Sequence, residues 1–149
     1  MAKQVLVVDD DQNTVKYLSV LLGEHGYETV SACDGAEGLE QIKRAKPDLI
    51  VLDVMMPKKS GFVLLKQLKR DERYKDLPVL MLSGVSGLLE EFRAHTETPS
   101  DKPYDHLRQA MKKTIQDMRE EGLVGPEMFM DKPVAPDAFI AKVNQLIGS

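Results

Sequence analysis

The stretch VLVVDD at Val5–Asp10 is an uninterrupted apolar run that ends in two acids, and LIVLD at Leu49–Asp53 repeats the pattern. Apolar runs of this length are typical of strands that are buried on both faces of a sheet. If the two strand ends converge, Asp9, Asp10 and Asp53 bring three like charges close together, and these repel strongly. We therefore expect a cation, and the chemistry of this protein, at that edge of the sheet.

The composition is that of a single globular domain. The chain has 149 residues, of which 42% are hydrophobic and 30% are charged. This length allows a proper core, and the balance argues against disorder. The formal net charge of -4 disfavours nucleic-acid binding, which needs clustered lysine and arginine.

Membrane and disulfide classes are also disfavoured by the sequence. No apolar stretch is long enough to span a bilayer, and the opening apolar run breaks at Asp9, so we expect no signal peptide and no membrane insertion. Cys33 is the single cysteine, which excludes an intrachain disulfide and a thiolate metal site. A cytoplasmic location is expected.

Short apolar runs alternate with amphipathic segments along the chain. Strands are predicted at Val5–Val8, Glu28–Ala32, Leu49–Leu52, Val79–Leu82 and Met128–Met130. Helical spacing of apolar residues is found from Val15 to Leu22, Ala36 to Ile42, Phe62 to Leu68 and Pro136 to Ile147, with Asp11, Asp34 and Ser60 as candidate N-caps. Strict alternation predicts an α/β fold with a doubly wound parallel sheet. In the flavodoxin-like order 2-1-3-4-5, ligands bind where the order reverses, between the two strands that end in acid.

One connection is too long for a minimal fold of this kind. Ser83 and Lys132 are separated by 48 residues, whereas roughly a dozen residues suffice for a crossover with one helix. We expect a crossover helix at about Tyr104–Glu121, preceded by an insertion at Gly84–Pro103.

Four motifs occur in order at the successive strand ends: Val7-Val8-Asp9-Asp10; Asp53 with Pro57 and Gly61; Ser83; and Lys132-Pro133. Together they resemble the receiver domain of two-component response regulators, the CheY-like family. The resemblance covers about Lys3–Gly84 and Gly125–Ile147. It implies a (βα)5 flavodoxin-like fold, with residues 1–149 forming one receiver domain and the insertion between strand 4 and helix 4.

The resemblance also implies a site for phosphoryl transfer. Asp53 matches the carboxylate that accepts the phosphoryl group as a covalent nucleophile. Mg²⁺ would be ligated directly by Asp10 and Asp53, largely through water by Asp9, and by the backbone carbonyl of Met55. Oxygen ligands of this kind suit Mg²⁺, which is typically completed by water and substrate phosphate.

Three further positions match supporting roles in the family. Lys132 would place a positive charge on the phosphoryl oxygens, and Ser83 would donate its hydroxyl to one of them. Movement of Ser83 would open space for Phe129 to act as a switch. The family often has tyrosine at that position, so a packing switch without the hydroxyl is one alternative, and a simple core role for Phe129 is the other.

The resulting hypothesis is a stand-alone response regulator in a phosphorelay. A sensor histidine kinase or histidine phosphotransfer protein would supply the phosphoryl group, and output would pass to a downstream protein target by contact. Apart from self-phosphorylation and slow autodephosphorylation, no enzyme activity is expected. One alternative is a receiver-like interaction module that no longer uses phosphorylation.

Two other classes fit the sequence less well. A flavodoxin-like cofactor binder needs a phosphate cradle after strand 1, where the acids Asp9, Asp10 and Asp11 would repel the ligand. An aspartyl phosphohydrolase would carry its nucleophile in an Asp-x-Asp motif after strand 1, whereas here three consecutive acids follow that strand.

Overall fold

The computed structural model describes residues 2–54, 61–83, 113, 116, 117, 120, 128–131 and 134–148. The strands are β1 (Gln4–Val8), β2 (Glu28–Ala32), β3 (Leu49–Asp53), β4 (Val79–Ser83) and β5 (Met128–Asp131). The helices described from end to end are α1 (Gln12–Glu24), α2 (Gly35–Arg44), α3 (Gly61–Arg70) and α4 (Pro136–Ile147). The strands form one sheet in the order β2-β1-β3-β4-β5, and every pairing is parallel. The predicted doubly wound fold is confirmed.

The two strands that end in acid lie side by side at the centre of the sheet. Val5 pairs with Leu49 and Val8 pairs with Leu52, so β1 and β3 end at the same level. All four residues are inaccessible to solvent. Burial of apolar surface on both faces stabilises such strands by roughly 25 cal/mol per Å², which explains why both runs carry no polar residue before the acids.

The core is divided by the sheet into two clusters. Alternate residues of each strand point to opposite faces. The cluster on one face includes residues of β1, β3, α2 and α3, and the cluster on the other includes residues of β1, β3, α1 and α4. Helices therefore cover both faces, and the ends of the strands are left to form a site.

Aspartates begin the first two helices, as predicted. Asp11 caps α1, accepting hydrogen bonds from the Asn13 amide at 3.1 Å and the Thr14 hydroxyl at 2.8 Å. Asp34 caps α2 by accepting from the Glu37 amide at 2.8 Å. A side-chain acceptor at this position satisfies an amide that has no partner within the helix. Both helices are thus fixed at the end nearer to the acids.

The turn that joins α3 to β4 accepts hydrogen bonds from a buried lysine in the last turn of α3. Lys69 is only 4% exposed, and its ammonium group donates to the carbonyl oxygens of Lys75 and Leu77, both at 3.3 Å. In the same turn, Asp71 accepts hydrogen bonds from the backbone and guanidinium of Arg73. These contacts position the chain as it enters β4.

Several expectations fall on other parts of the chain. The Ser60 cap and the insertion at Gly84–Pro103 lie outside the described residues, so both stay predictions. Within the expected crossover helix, Lys113, Gln116, Asp117 and Glu120 are helical. Asp117 accepts a hydrogen bond of 3.0 Å from Lys66 of α3, which brings this part of the crossover beside α3. In the described part of the chain, no helix combines the length and apolar character needed to cross a membrane.

Candidate functional site

The acids that follow β1 and end β3 converge at one edge of the sheet. One carboxylate oxygen each from Asp9, Asp10 and Asp53 lies within 4.8 Å of the other two. Proximity along the chain does not explain this convergence, because more than 40 residues lie between Asp10 and Asp53. Parallel pairing of β1 and β3 in register does, because it brings their carboxyl ends to the same level.

The three carboxylates differ in their exposure to solvent. Asp9 is fully buried and Asp53 is 3% exposed, whereas Asp10 is exposed. Burying carboxylates beside one another is costly unless positive charge or hydrogen bonds compensate. The donor set is all oxygen, with one side open to water through Asp10. Such a site fits Mg²⁺, which keeps several water ligands.

Backbone hydrogen bonds hold these acids in place. The Asp9 amide donates to the Ala32 carbonyl at 3.0 Å, which ties it to the end of β2. Its carboxylate accepts from the Asp11 amide at 2.9 Å. Asp53 lies within β3, and the Val54 amide after it donates to Leu82 of β4 at 2.9 Å. The acids after β1 and at the end of β3 are therefore supported by hydrogen bonds to the two flanking strands, β2 and β4.

The other predicted site residues are described only in part. Ser83 ends β4, one residue beyond the Leu82 that pairs with Asp53, so its backbone lies at the same edge. Phe129 pairs with Met81 in β5. The side chains of Ser83 and Phe129 are not described, and Met55 and Lys132 lie outside the described residues. Their roles stay predictions.

Gly61 contacts the backbone next to the acidic cluster. The sequence analysis named this glycine as part of a motif but assigned it no separate role. It begins α3, and its amide donates to the Val54 carbonyl at 3.2 Å. It lies against the backbone of Asp53. The signal for this contact in the sequence is the position of Gly61, which stands eight residues after Asp53 at the start of a predicted helix.

A doubly wound parallel sheet with clustered acids at its point of reversal defines a flavodoxin-like α/β protein with an acidic cluster at the carboxyl end of its central strands. The model of the response regulator receiver domain matches residues 5–97, and the chain belongs to that family. Receiver domains are signalling modules of two-component systems. Phosphorylation on aspartate and Mg²⁺ binding are general features of the family, whose members interact with histidine kinases and downstream effectors.

Two curated relatives and one solved structure illustrate the similarity. The chain is 36% identical to the DNA-binding dual master transcriptional regulator RpaA of Synechocystis sp. over 105 residues, covering 68% of this chain and 44% of the relative. It is 33% identical to the alkaline phosphatase synthesis transcriptional regulatory protein PhoP of Bacillus subtilis, covering 99% of this chain and 49% of the relative. The structure of chemotaxis protein CheY4 of Vibrio cholerae superimposes with a TM-score of 0.72 at 26% identity, covering 99% of this chain and 100% of that one.

The chain spans less than half the length of each of these two curated relatives. The match to the family model includes Asp9, Asp10, Asp53 and Ser83, and it ends before Lys132. It also runs past Gly84 into the segment expected as an insertion.

Proposed function

We propose that Asp53 accepts a phosphoryl group from a phosphohistidine donor in a Mg²⁺-dependent reaction, and that the phosphorylated chain signals by contact with a downstream protein. The observation that carries this proposal is the convergence of three carboxylates within 4.8 Å, with Asp53 almost wholly buried at the end of a central strand. A capping or surface aspartate has no need of two further acids beside it.

The chemistry follows from the carboxylate of Asp53. One of its oxygens forms a bond to phosphorus as the bond between phosphorus and the donor imidazole nitrogen breaks, and the electron pair of that bond leaves with the imidazole. The product is an acyl phosphate, which water later hydrolyses to free Asp53 and inorganic phosphate. The buried position of Asp53 restricts the motion of its carboxylate and would limit the access of water to the acyl phosphate.

Asp9, Asp10 and Asp53, with the Met55 carbonyl, would hold the Mg²⁺. When bound, the ion supplies positive charge that offsets the carboxylates and the charge on the transferring phosphoryl group. The all-oxygen set and its open side at Asp10 support this assignment.

Lys132 and Ser83 complete the proposed site. The Lys132 ammonium would bind phosphoryl oxygens as a point charge, and the Ser83 hydroxyl would donate to one of them. The position of the Ser83 backbone beside Leu82, the partner of Asp53, supports the second role. Phe129 would then respond by repacking. A single rotamer of Phe129 with and without a phosphate mimic would contradict that response.

A histidine kinase or histidine phosphotransfer protein is the proposed donor. The proposed output is a protein contact, since the net charge of -4 disfavours direct binding of nucleic acid by these 149 residues. Both relatives named above include "transcriptional" regulation in their names. That activity belongs to proteins more than twice as long as the matched part.

Treatment with acetyl phosphate and Mg²⁺, followed by intact-mass and peptide mass spectrometry, tests the acceptor. We expect one added phosphoryl group, located on Asp53 and lost in Asp53→Asn. Asp76→Asn is the matched control, because Asp76 is an exposed aspartate in the turn before β4. Persistent labelling of Asp53→Asn would refute the acceptor assignment.

A second measurement separates this function from a module that no longer uses phosphorylation. Mg²⁺ titration of the wild-type chain, followed by NMR, should shift the amides of Asp9, Asp10 and Asp53, and chelation should reverse the shifts. Amides that do not respond to Mg²⁺, together with an absence of labelling by acetyl phosphate, would favour the interaction module.

A further inference from the structure

Gly61 fits into a narrow space between the end of β3 and the side chain of Met81. A Cβ atom built on Gly61 would overlap the carbonyl oxygen of Asp53. It would also stand 3.1 Å from the Asp53 carbonyl carbon and 3.1 Å from the terminal methyl of Met81. The space occupied by the α-hydrogens of Gly61 is therefore closed to any side chain.

Conformational freedom does not explain the glycine. Gly61 is the first residue of α3, and among the described glycines only Gly26 has a positive φ, of 86°. Alanine is a better helix former than glycine, so local propensity favours a side chain at Gly61. The requirement for glycine here is one of space.

The neighbours of Gly61 differ in how far they can yield. The Met81 methyl is the end of a flexible side chain, whereas the Asp53 carbonyl belongs to a central strand that pairs with β4. On the other side, α3 is anchored by Leu64 and Leu65, which are fully buried. A side chain at Gly61 must therefore displace either the backbone that carries Asp53 or the first turn of α3, which is hydrogen-bonded to Val54.

We propose that Gly61 is a positioning residue for Asp53. Its missing side chain lets the first turn of α3 seat against the Asp53 carbonyl, and this contact fixes where the Asp53 carboxylate stands relative to Asp9 and Asp10. The proposal rests on the proposed function of Asp53 as phosphoryl acceptor.

Gly61→Ala tests the proposal against two matched glycine variants. Gly38→Ala, within α2, also meets tight packing, with its Cβ 3.1 Å from a methyl of Val8, but its three nearest neighbours are all side-chain atoms. Gly23→Ala, within α1, meets nothing within 4 Å. The rate of labelling by acetyl phosphate, the Mg²⁺ affinity and the melting temperature are measured for all three.

We expect Gly61→Ala to label at least about tenfold more slowly than wild type, since displacement of a reacting group by an ångström is costly. Its Mg²⁺ affinity should fall as well, because Asp53 is a ligand as well as an acceptor. Gly38→Ala should lose melting temperature but keep its rate within about twofold at temperatures where it is folded, since its strain falls on side chains rather than on the acid. Gly23→Ala should keep the wild-type rate and Mg²⁺ affinity, and its melting temperature should not fall, because alanine is the better helix former. A Gly61→Ala protein that labels and binds Mg²⁺ like wild type would overturn the proposal.

The double variant Gly61→Ala/Met81→Val identifies the contact responsible. Shortening Met81 relieves the methyl contact and leaves the Asp53 carbonyl in place. We expect the double variant to label as slowly as Gly61→Ala. Recovery of the wild-type rate would assign the effect to Met81 and refute positioning through Asp53.

Two measurements keep the test independent of folding and of the proposed function. If Gly61→Ala does not fold, a nuclear Overhauser effect between the Gly61 α-hydrogens and the Met81 methyl in the wild-type protein supports the close seating, and its absence contradicts it. If the wild-type chain is not labelled, the proposed function fails. The Mg²⁺ affinity of Gly61→Ala then still reports on the placement of Asp53.

Discussion

Asp9 and Asp53 bring carboxylate oxygens within 4.8 Å of each other at the end of the sheet, although both side chains are buried. In a medium less polar than water, such a pair repels strongly when both groups are ionised. A cation bound between the two carboxylates would relieve this repulsion, and the relief would contribute to the free energy of cation binding. The stability of the protein should therefore depend on divalent metal.

Mg²⁺ should raise the melting temperature and the free energy of unfolding. At a free concentration one hundred times its Kd, a ligand that binds only the folded state adds about 2.7 kcal/mol. Thermal unfolding in Mg²⁺ and in chelator measures the difference. We expect the stabilisation to shrink in Asp10→Asn, which removes the exposed acid of the cluster, and a stability independent of Mg²⁺ would contradict the site.

Asp9→Asn should weaken Mg²⁺ binding without loosening the turn after β1. The asparagine side-chain oxygen can still accept the hydrogen bond from the Asp11 amide, which is 2.9 Å long in the wild-type protein, while the negative charge is lost. We expect Mg²⁺ affinity to fall by about tenfold or more, as for other groups that act around a metal, when amide shifts are followed in a titration. In Asp9→Ala the hydrogen bond is lost too, so Asp9→Ala should be less stable than Asp9→Asn in the absence of metal by about 0.5–1.5 kcal/mol.

Lys69→Met should destabilise the protein although it keeps the apolar stem of the side chain. The substitution removes the ammonium that donates to the carbonyls of Lys75 and Leu77, and loss of a buried partner costs about 1–3 kcal/mol. Chemical denaturation measures the loss. Lys43→Met, at an exposed position in the last turn of α2, is the control and should stay within about 0.5 kcal/mol. Equal effects of the two substitutions would show that Lys69 does not brace the turn.

Asp71 should titrate well below an ordinary aspartate. Hydrogen bonds from the Arg73 guanidinium, at 2.8 and 3.1 Å, and from its amide, at 2.9 Å, lower the pKa of the Asp71 carboxyl from 3.8 to about 2. Because the folded pKa is the lower one, the contribution to stability is complete above about pH 3.8 and is lost as the pH falls through about 2. Carboxyl NMR titration checks the value. Arg73→Gln keeps the backbone donor and should return the pKa part of the way toward 3.8.

The ion pair between Lys66 and Asp117 should couple α3 to the crossover segment. Lys66 Nζ lies 3.0 Å from Asp117 Oδ2, and this contact lowers the pKa of the Asp117 carboxyl. A double-mutant cycle with Lys66→Met and Asp117→Asn should give a favourable coupling that weakens in high salt, as expected for partly exposed charges. A coupling of zero at low salt would show that the pair does not hold the segment.

Local patterns in the sequence were sufficient to predict the strands of the sheet, the helices that cover it and two of the helix caps. The uninterrupted apolar runs at β1 and β3 required burial on both faces, and alternation with helices required parallel strands. Asp11 and Asp34 were predictable as caps because capping involves only neighbouring residues. The motif order also led to the correct family.

The placement of side chains relative to one another was decided only by the tertiary structure. Lysine is usually a surface residue, yet packing buries Lys69 against the turn that precedes β4. In the sequence, Gly61 indicates only the start of a helix. Its contact with Asp53 exists because α3 packs against the end of β3. Contacts between distant residues depend on how whole elements pack, whereas strands, caps and their order depend on local pattern. The sequence therefore determined which acids stand at the strand ends, and tertiary packing decided how close they come.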